Sequence, residues 1–265
     1  MNSQSIPNWL PTLARAGYAA KGIVYGTVGV MAVLAAAGKG GGILGSSGAL
    51  REIGSKPFGA LALIIIGIGL LAYAVYRFLC AFYDAEREGK DGSGIAKRVG
   101  YFGSALSYAA LGVTALTGLG GSQGGSGEEE MTSGVLQLPG GAIIVGAVGL
   151  AIIVAGLFQW KKALDGSYRS KFTLDSFAAG QRHWIERSAK FGLIARGIVF
   201  PIVGFFLITA AVQSDASEAM GLGQALQKLQ GQAYGSILLG LTAAGLACYA
   251  IYCGVLAVYG NFGRK

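Results

Sequence analysis

The stretch GYAAKGIVYGTVG at residues 17–29 returns as GLIARGIVFPIVG at 192–204, with Arg196 in the place of Lys21 and Phe200 in the place of Tyr25. A more divergent copy, GYFGSALSYAALG, fills 100–112 and puts Ser104 and Tyr108 at those two positions. Each copy is followed by a second apolar run. GLLAYAVYR at 69–77 aligns with GLACYAIYC at 245–253, matching Tyr73 to Tyr249 and Tyr76 to Tyr252; the middle run, VAGLFQ, has Ala155 and Phe158 there. The linkers agree too. GSSGALREIGSKPFG at 45–59 lies without gaps on GLGQALQKLQGQAYG at 221–235, whereas the middle linker shortens to TSGVLQLPGG behind an acidic insert. Apolar helices resemble one another by chance, but linkers in fixed register do not, so the chain reads as three copies of one two-helix unit. The repeats fall at 9–83, 97–162 and 184–260 within one membrane domain covering 1–265.

Composition decides what kind of helices these are. Of the 265 residues 53% are hydrophobic and 13% charged, about half the charged share of a soluble domain. Apolar runs at 17–37, 58–79, 100–119, 140–160, 191–212 and 234–258 each approach the ~20 residues a helix needs to cross a bilayer. The expected fold is an all-α integral membrane protein. Its six transmembrane helices form three parallel helical hairpins with pseudo-threefold symmetry about the membrane normal.

The net charge of +8 is a topology signal. With the N-terminus in the cytoplasm, every Lys and Arg except Lys39, Arg51, Lys56 and Lys228 falls on the cytoplasmic side, which is the positive-inside pattern. Both termini and the basic loop 163–183 are therefore expected on the cytoplasmic face of the plasma membrane. Anionic membrane lipids are the natural partners of that surplus. Nucleic acid is not expected, because no recognition motif accompanies the charge.

Local signals refine the picture. Ala49–Ile53 and Ala225–Leu229 have the apolar spacing of short helices lying in the interface. Pro57 and Pro139 are expected in the first turns of the second and fourth spans, and Pro201 is expected to kink the fifth. Gly22, Gly26 and Gly29 share a helix face. With Gly67, Gly69, Gly146, Gly149, Gly240 and Gly245 they suit close helix packing, and they offer faces through which copies of the chain could associate.

The phrase shared by GYAAKGIVY and GLIARGIVF, with SGAL…PFG in the linker and AYxxY in the second helix, resembles the bacterial membrane proteins grouped as domain of unknown function 1206. The resemblance covers most of 9–259 and is weakest in the middle repeat, where Ser104 replaces the basic residue. It implies tandem two-helix modules, commonly three per chain, and brings no activity with it.

Little in the sequence suggests catalysis. No Asp or Glu lies in any predicted span, where a proton relay would need one. Zinc spacings, a nucleophile elbow and a phosphate-binding loop are all missing. His183 is the single histidine, Cys80, Cys248 and Cys253 do not form a ligand set, and no metal or cofactor is expected. The candidate anion- or lipid-headgroup-binding residues are Lys21, Arg196 and Ser104. Tyr25, Tyr108 and Phe200 follow one turn deeper as candidate vestibule aromatics, since i and i+4 share a face.

Two placements are open for the cations. They could lie on the outer surface and reach up to the headgroups, or they could converge inside, at a cytoplasmic mouth. The leading functional expectation is a lipid- or partner-binding membrane scaffold, with homo-oligomers formed through its glycine faces. A channel or facilitator for an anion or small solute is one alternative. An accessory subunit of a larger membrane complex, docked through its basic loop, is the other.

Overall fold

A computed structural model describes residues 9–89, 91–118, 132–173 and 177–262. Helices follow in the order α1 (Leu10–Ala36), α2 (Ser46–Gly54), α3 (Gly59–Tyr83), α4 (Gly92–Thr117), α5 (132–136), α6 (Gly141–Asp165), α7 (Ala179–Gln213), α8 (Leu222–Gln230) and α9 (Gly235–Tyr259). The described residues form no β-strand, and α1, α3, α4, α6, α7 and α9 are long and apolar enough to cross a membrane. Their outward faces carry exposed Leu61, Ile65, Ile68, Leu241 and Val258, whereas Leu70, Tyr73, Tyr76 and Leu246 are buried.

Several helices outrun the apolar runs. α1 starts at Leu10 because Pro11 sits in its first turn, where a missing N–H costs no helix bond. α7 has 35 residues, more than a bilayer requires, and its first turns are the polar GQRHWIER. The basic 163–183 segment is correspondingly less of a loop: α6 runs to Asp165, a 3-10 turn takes Ser167–Lys171, and α7 begins at Ala179. Helix α7 also continues through Pro201, whose ring lies where a side chain at Gly156 of α6 would be.

The two linker prolines are not in the first turns of the spans. α3, α6 and α9 each begin directly after a left-handed residue: Phe58 (φ 62°), Gly140 (φ 75°) and Tyr234 (φ 60°). Pro57 and Pro139 stand before that corner. The next residue is glycine each time, and a Cβ on Gly59, Gly141 or Gly235 would run into the carbonyl of Gly54, Val135 or Gln230. A tight reversal from linker helix into span therefore selects the Phe-Gly, Gly-Gly and Tyr-Gly pairs.

The second helix of each repeat packs along the first helix of the next: α3 on α4, α6 on α7, and α9 back on α1. Within repeats one and three the two spans also pack on each other, α1 with α3 and α7 with α9. In the middle repeat α4 and α6 barely meet. The glycines predicted for packing serve these internal seams. Gly29 lies against Ala243 and Ala247, Gly67 against Gly112 and Leu116, Gly149 against Gly204 and Ile208, and Gly245 against Ala195.

Both ends of the bundle are covered. At one end α2 and α8 bury Ala49, Leu50, Ala225 and Leu226, with the backbones of Gly45 and Gly223 in close approach. At the other end, near Tyr18 and Phe262, Lys171 pairs with Glu86 at 2.6 Å, and Tyr76 donates its hydroxyl to the same carboxylate. There the Asn261 N–H donates to the Lys171 carbonyl at 2.8 Å. Phe262 stacks on Tyr18 (5.3 Å between centroids) and meets Tyr76 edge-on.

Candidate functional site: buried cations in a tyrosine cage

Lys21 lies about three helical turns into α1 and is only 3% exposed. Its Nζ donates to the Tyr73 hydroxyl at 3.1 Å. The same atom sits 4.3 Å from the Tyr73 ring, 4.7 Å from Tyr108 and 5.0 Å from Tyr18. Arg196, 7% exposed, repeats the arrangement on α7. It donates to the Tyr249 hydroxyl at 2.6 Å, and its guanidinium carbon lies 4.4 Å from the Phe200 and Tyr249 rings and 5.3 Å from Tyr25. Reaching along the lipid surface is therefore not what these side chains do. The interior is rich in aromatic faces, and the burial of both residues turns them inward.

The pairing follows the repeat. Lys21 with Tyr73 and Arg196 with Tyr249 occupy matching positions, and the middle repeat has Ser104 and Ala155 instead. Ser104 is half-buried on α4. The predicted aromatics do join the cage: Tyr108 lies under Lys21, and Tyr25 and Phe200 flank Arg196. Each cation thus also touches a first-helix aromatic of the following repeat, Lys21 with Tyr108 and Arg196 with Tyr25.

Sequence reasoning missed Arg77, counting it only as a charge near a helix end. Its Nε donates to the Tyr73 hydroxyl at 2.7 Å and its Nη2 to the Tyr18 hydroxyl at 3.0 Å. The Tyr73 oxygen consequently accepts from two cations. The available signal was the i, i+4 spacing of Tyr73 and Arg77. Tyr73 and Tyr249, the matched tyrosines of the outer repeats, are both buried.

Among the described residues no ion pair joins Lys21, Arg77 or Arg196 to a carboxylate. Arg196 Nε is buried without a hydrogen-bond partner. Burying an unpaired ion costs several kcal/mol. Cation–π contacts return about 2 kcal/mol when desolvated, and a hydrogen bond to a charged group about 1.5–3 kcal/mol. Aromatic faces and phenol oxygens can hold these charges in place without neutralising them. The cage gathers the cationic groups of Lys21, Arg77 and Arg196 around the hydroxyls of Tyr18, Tyr73 and Tyr249.

The covered end has a different balance. Burial pushes the Glu86 carboxyl up, but Lys171, the Tyr76 hydroxyl and Arg77 outweigh it and hold the group below the usual carboxylate range. His183 is exposed, Cys80, Cys248 and Cys253 are free thiols, and no group of metal-ligating side chains gathers among the described residues.

A helical bundle with six membrane-length helices and a cationic, tyrosine-lined interior is the class defined by this geometry. The chain belongs to the family described as Domain of Unknown Function (DUF1206), whose model matches three times, at residues 16–84, 99–166 and 191–260. It is similar to the uncharacterized protein YxxB of Bacillus subtilis (strain 168), at 33% identity over 257 residues, 97% of this chain and 93% of that protein. No solved structure matches it.

Proposed function

We propose that this chain is a membrane-embedded binding protein for anionic lipid headgroups, acting as a scaffold in the bacterial plasma membrane rather than as a catalyst. One observation carries the reading: Lys21 and Arg196 are buried inside the bundle on phenol hydroxyls and aromatic faces, and among the described residues neither is ion-paired with a carboxylate. A protein that needed only stability would gain by replacing such charges with apolar groups. The cyclic pairing of α3 on α4, α6 on α7 and α9 on α1 supports three parallel hairpins around one axis. Charge placement supports cytoplasmic termini. Association with further copies or with a larger complex would use outer faces, since the glycine seams are occupied within the chain.

The test is native mass spectrometry of the protein released from membranes in mild detergent. The wild type should carry an anionic phospholipid, and Lys21→Gln with Arg196→Gln should lose it while remaining folded. Retention of the lipid by the double variant would sink the proposal. The interior position of the cations also favours a second reading, a facilitator for a small anion. That reading requires anion flux in liposomes that falls when both cations are removed.

A further inference from the structure

We infer that the ligand enters sideways, through the seam between α4 and α6, and that it is a lipid whose anionic headgroup reaches the cations while its chains stay in the bilayer. This inference rests on the anion-binding reading above and specifies its route and its ligand class. Among the described residues the bundle wall is thinnest at the middle repeat, where α4 and α6 barely meet. Gly17 and Gly192 press so tightly on the second helices of their repeats that a Cβ would strike Tyr73 or Tyr249, whereas a Cβ on Gly100 would meet nothing within 4 Å. Across the seam, Ala151 is exposed at the position matching Gly69 and Gly245, both of which are buried.

The walls of this seam follow from helical spacing. Gly100, Ser104 and Ser107 lie along one stripe of α4. On α6, Ala151, Phe158 and Lys162 share a stripe at i, i+7 and i+11. The lining is therefore small and hydroxylic on one side, and apolar with a terminal cation on the other. A lipid needs both features, room for an acyl chain along the helices and a positive charge at the headgroup level.

Two further observations make the seam the way to a charged site. Lys162 is exposed on its stripe, yet it lies within electrostatic reach of Arg77, Lys171 and Arg196. Arg196 has Tyr108 of α4 among its electrostatic neighbours, and its Nε is buried without a hydrogen-bond partner. Among the described residues, by contrast, side chains pack across both ends of the bundle. Phe262, Tyr76 and the Lys171–Glu86 pair close one end, and buried Leu50 and Leu226 close the other. A soluble anion would have to displace a plug. A lipid is already beside the open seam.

The experiment places the protein in nanodiscs of phosphatidylglycerol or of phosphatidylcholine with the same chains and counts bound lipid by native mass spectrometry. Gly100→Trp and Ala151→Trp fill the seam from opposite walls and leave every cation in place; Val113→Trp, on the exposed far face of α4, is the control. Circular dichroism confirms folding, and if one seam variant fails to fold the other carries the test. The inference expects selective retention of phosphatidylglycerol by the wild type and by Val113→Trp. It expects at least about a tenfold loss in both seam variants, the scale of one lost charge-assisted contact. It also expects no protection from thermal unfolding by inorganic phosphate.

If the seam variants keep their lipid while the Lys21→Gln, Arg196→Gln protein loses it, the lateral route is overturned and the binding site stands. Equal stabilisation of wild type and seam variants by phosphate overturns the route as well, in favour of access from water. If the tryptophans instead convert a dimer to a monomer with lipid unchanged, the seam is an interface between copies and the inference fails. If the double cation variant itself retains lipid, the anion-binding reading fails too.

Discussion

Repeats one and three differ from the middle repeat at one recurrent contact. In the first and third, a glycine near the start of the motif lets the first helix seat on the tyrosine of the second, and a basic residue one turn on donates to that tyrosine. The middle repeat keeps the glycine, Gly100, but lacks both members of the pair, having Ser104 and Ala155. Its helices stand apart. The comparison teaches that the cation and the phenol act as one unit: the hydroxyl is the cation's hydrogen-bond acceptor, and the tyrosine backbone is the glycine's seat. In the repeat without that unit, the two spans barely meet.

The harshest way to test that comparison is to put a side chain on the glycines. Gly17→Leu or Gly192→Leu should destabilise the protein by about 3 kcal/mol, the upper range for overpacking. Gly100→Leu should stay within about 0.5 kcal/mol, as surface changes do; unfolding from detergent micelles measures both. Next comes Tyr249→Phe, which removes the acceptor of Arg196 and leaves its buried guanidinium short of a partner. A loss of about 2 kcal/mol is expected in the same assay.

The comparison can also be run in reverse. Ser104→Arg with Ala155→Tyr rebuilds the missing pair, and a double-mutant cycle should return a favourable coupling of about 1 kcal/mol. The smallest effect concerns the plug near Tyr18 and Phe262. Glu86 titrates below its ordinary value, so its contribution is present above the unfolded carboxylate pKa of ~4.3 and is lost as pH falls through the lower folded value. Glu86→Gln should therefore flatten the acid limb of the stability curve, with a cost near neutrality of about 1 kcal/mol.

Much of the fold was legible because lipid imposes a simple rule. Apolar runs and linkers in register revealed the six long helices and the repeats, whereas the helix that the Gly22, Gly26 and Gly29 face meets, α9, is visible only in the structure. Helix ends were less legible. The polar first turns of α7 and the proline start of α1 lie beyond the apolar runs, so hydropathy is silent about them. Lys21 meets Tyr108 and Arg196 meets Tyr25 across helix pairs, contacts that spacing along a single helix does not give. Arg77 and Tyr73 did not announce themselves, because their roles depend on which neighbour faces them across a helix pair. The open seam was written in Ser104 and Ala155, but a missing partner is readable only once the intact pair is known.

The pairing of α9 with α1 has a consequence for biogenesis. Translation delivers α1 first and α9 last, so the glycine face of α1 stays without its partner until the final span emerges. The early helices must meanwhile avoid other small-residue faces in the same membrane. A chain stopped before Gly235 would lack both Tyr249 and the Ala243–Ala250 surface on which α1 rests. Such a product would expose an uncovered seam and, on α7, an Arg196 without its phenol acceptor, a combination by which membrane proteolysis could tell an unfinished molecule from a completed ring.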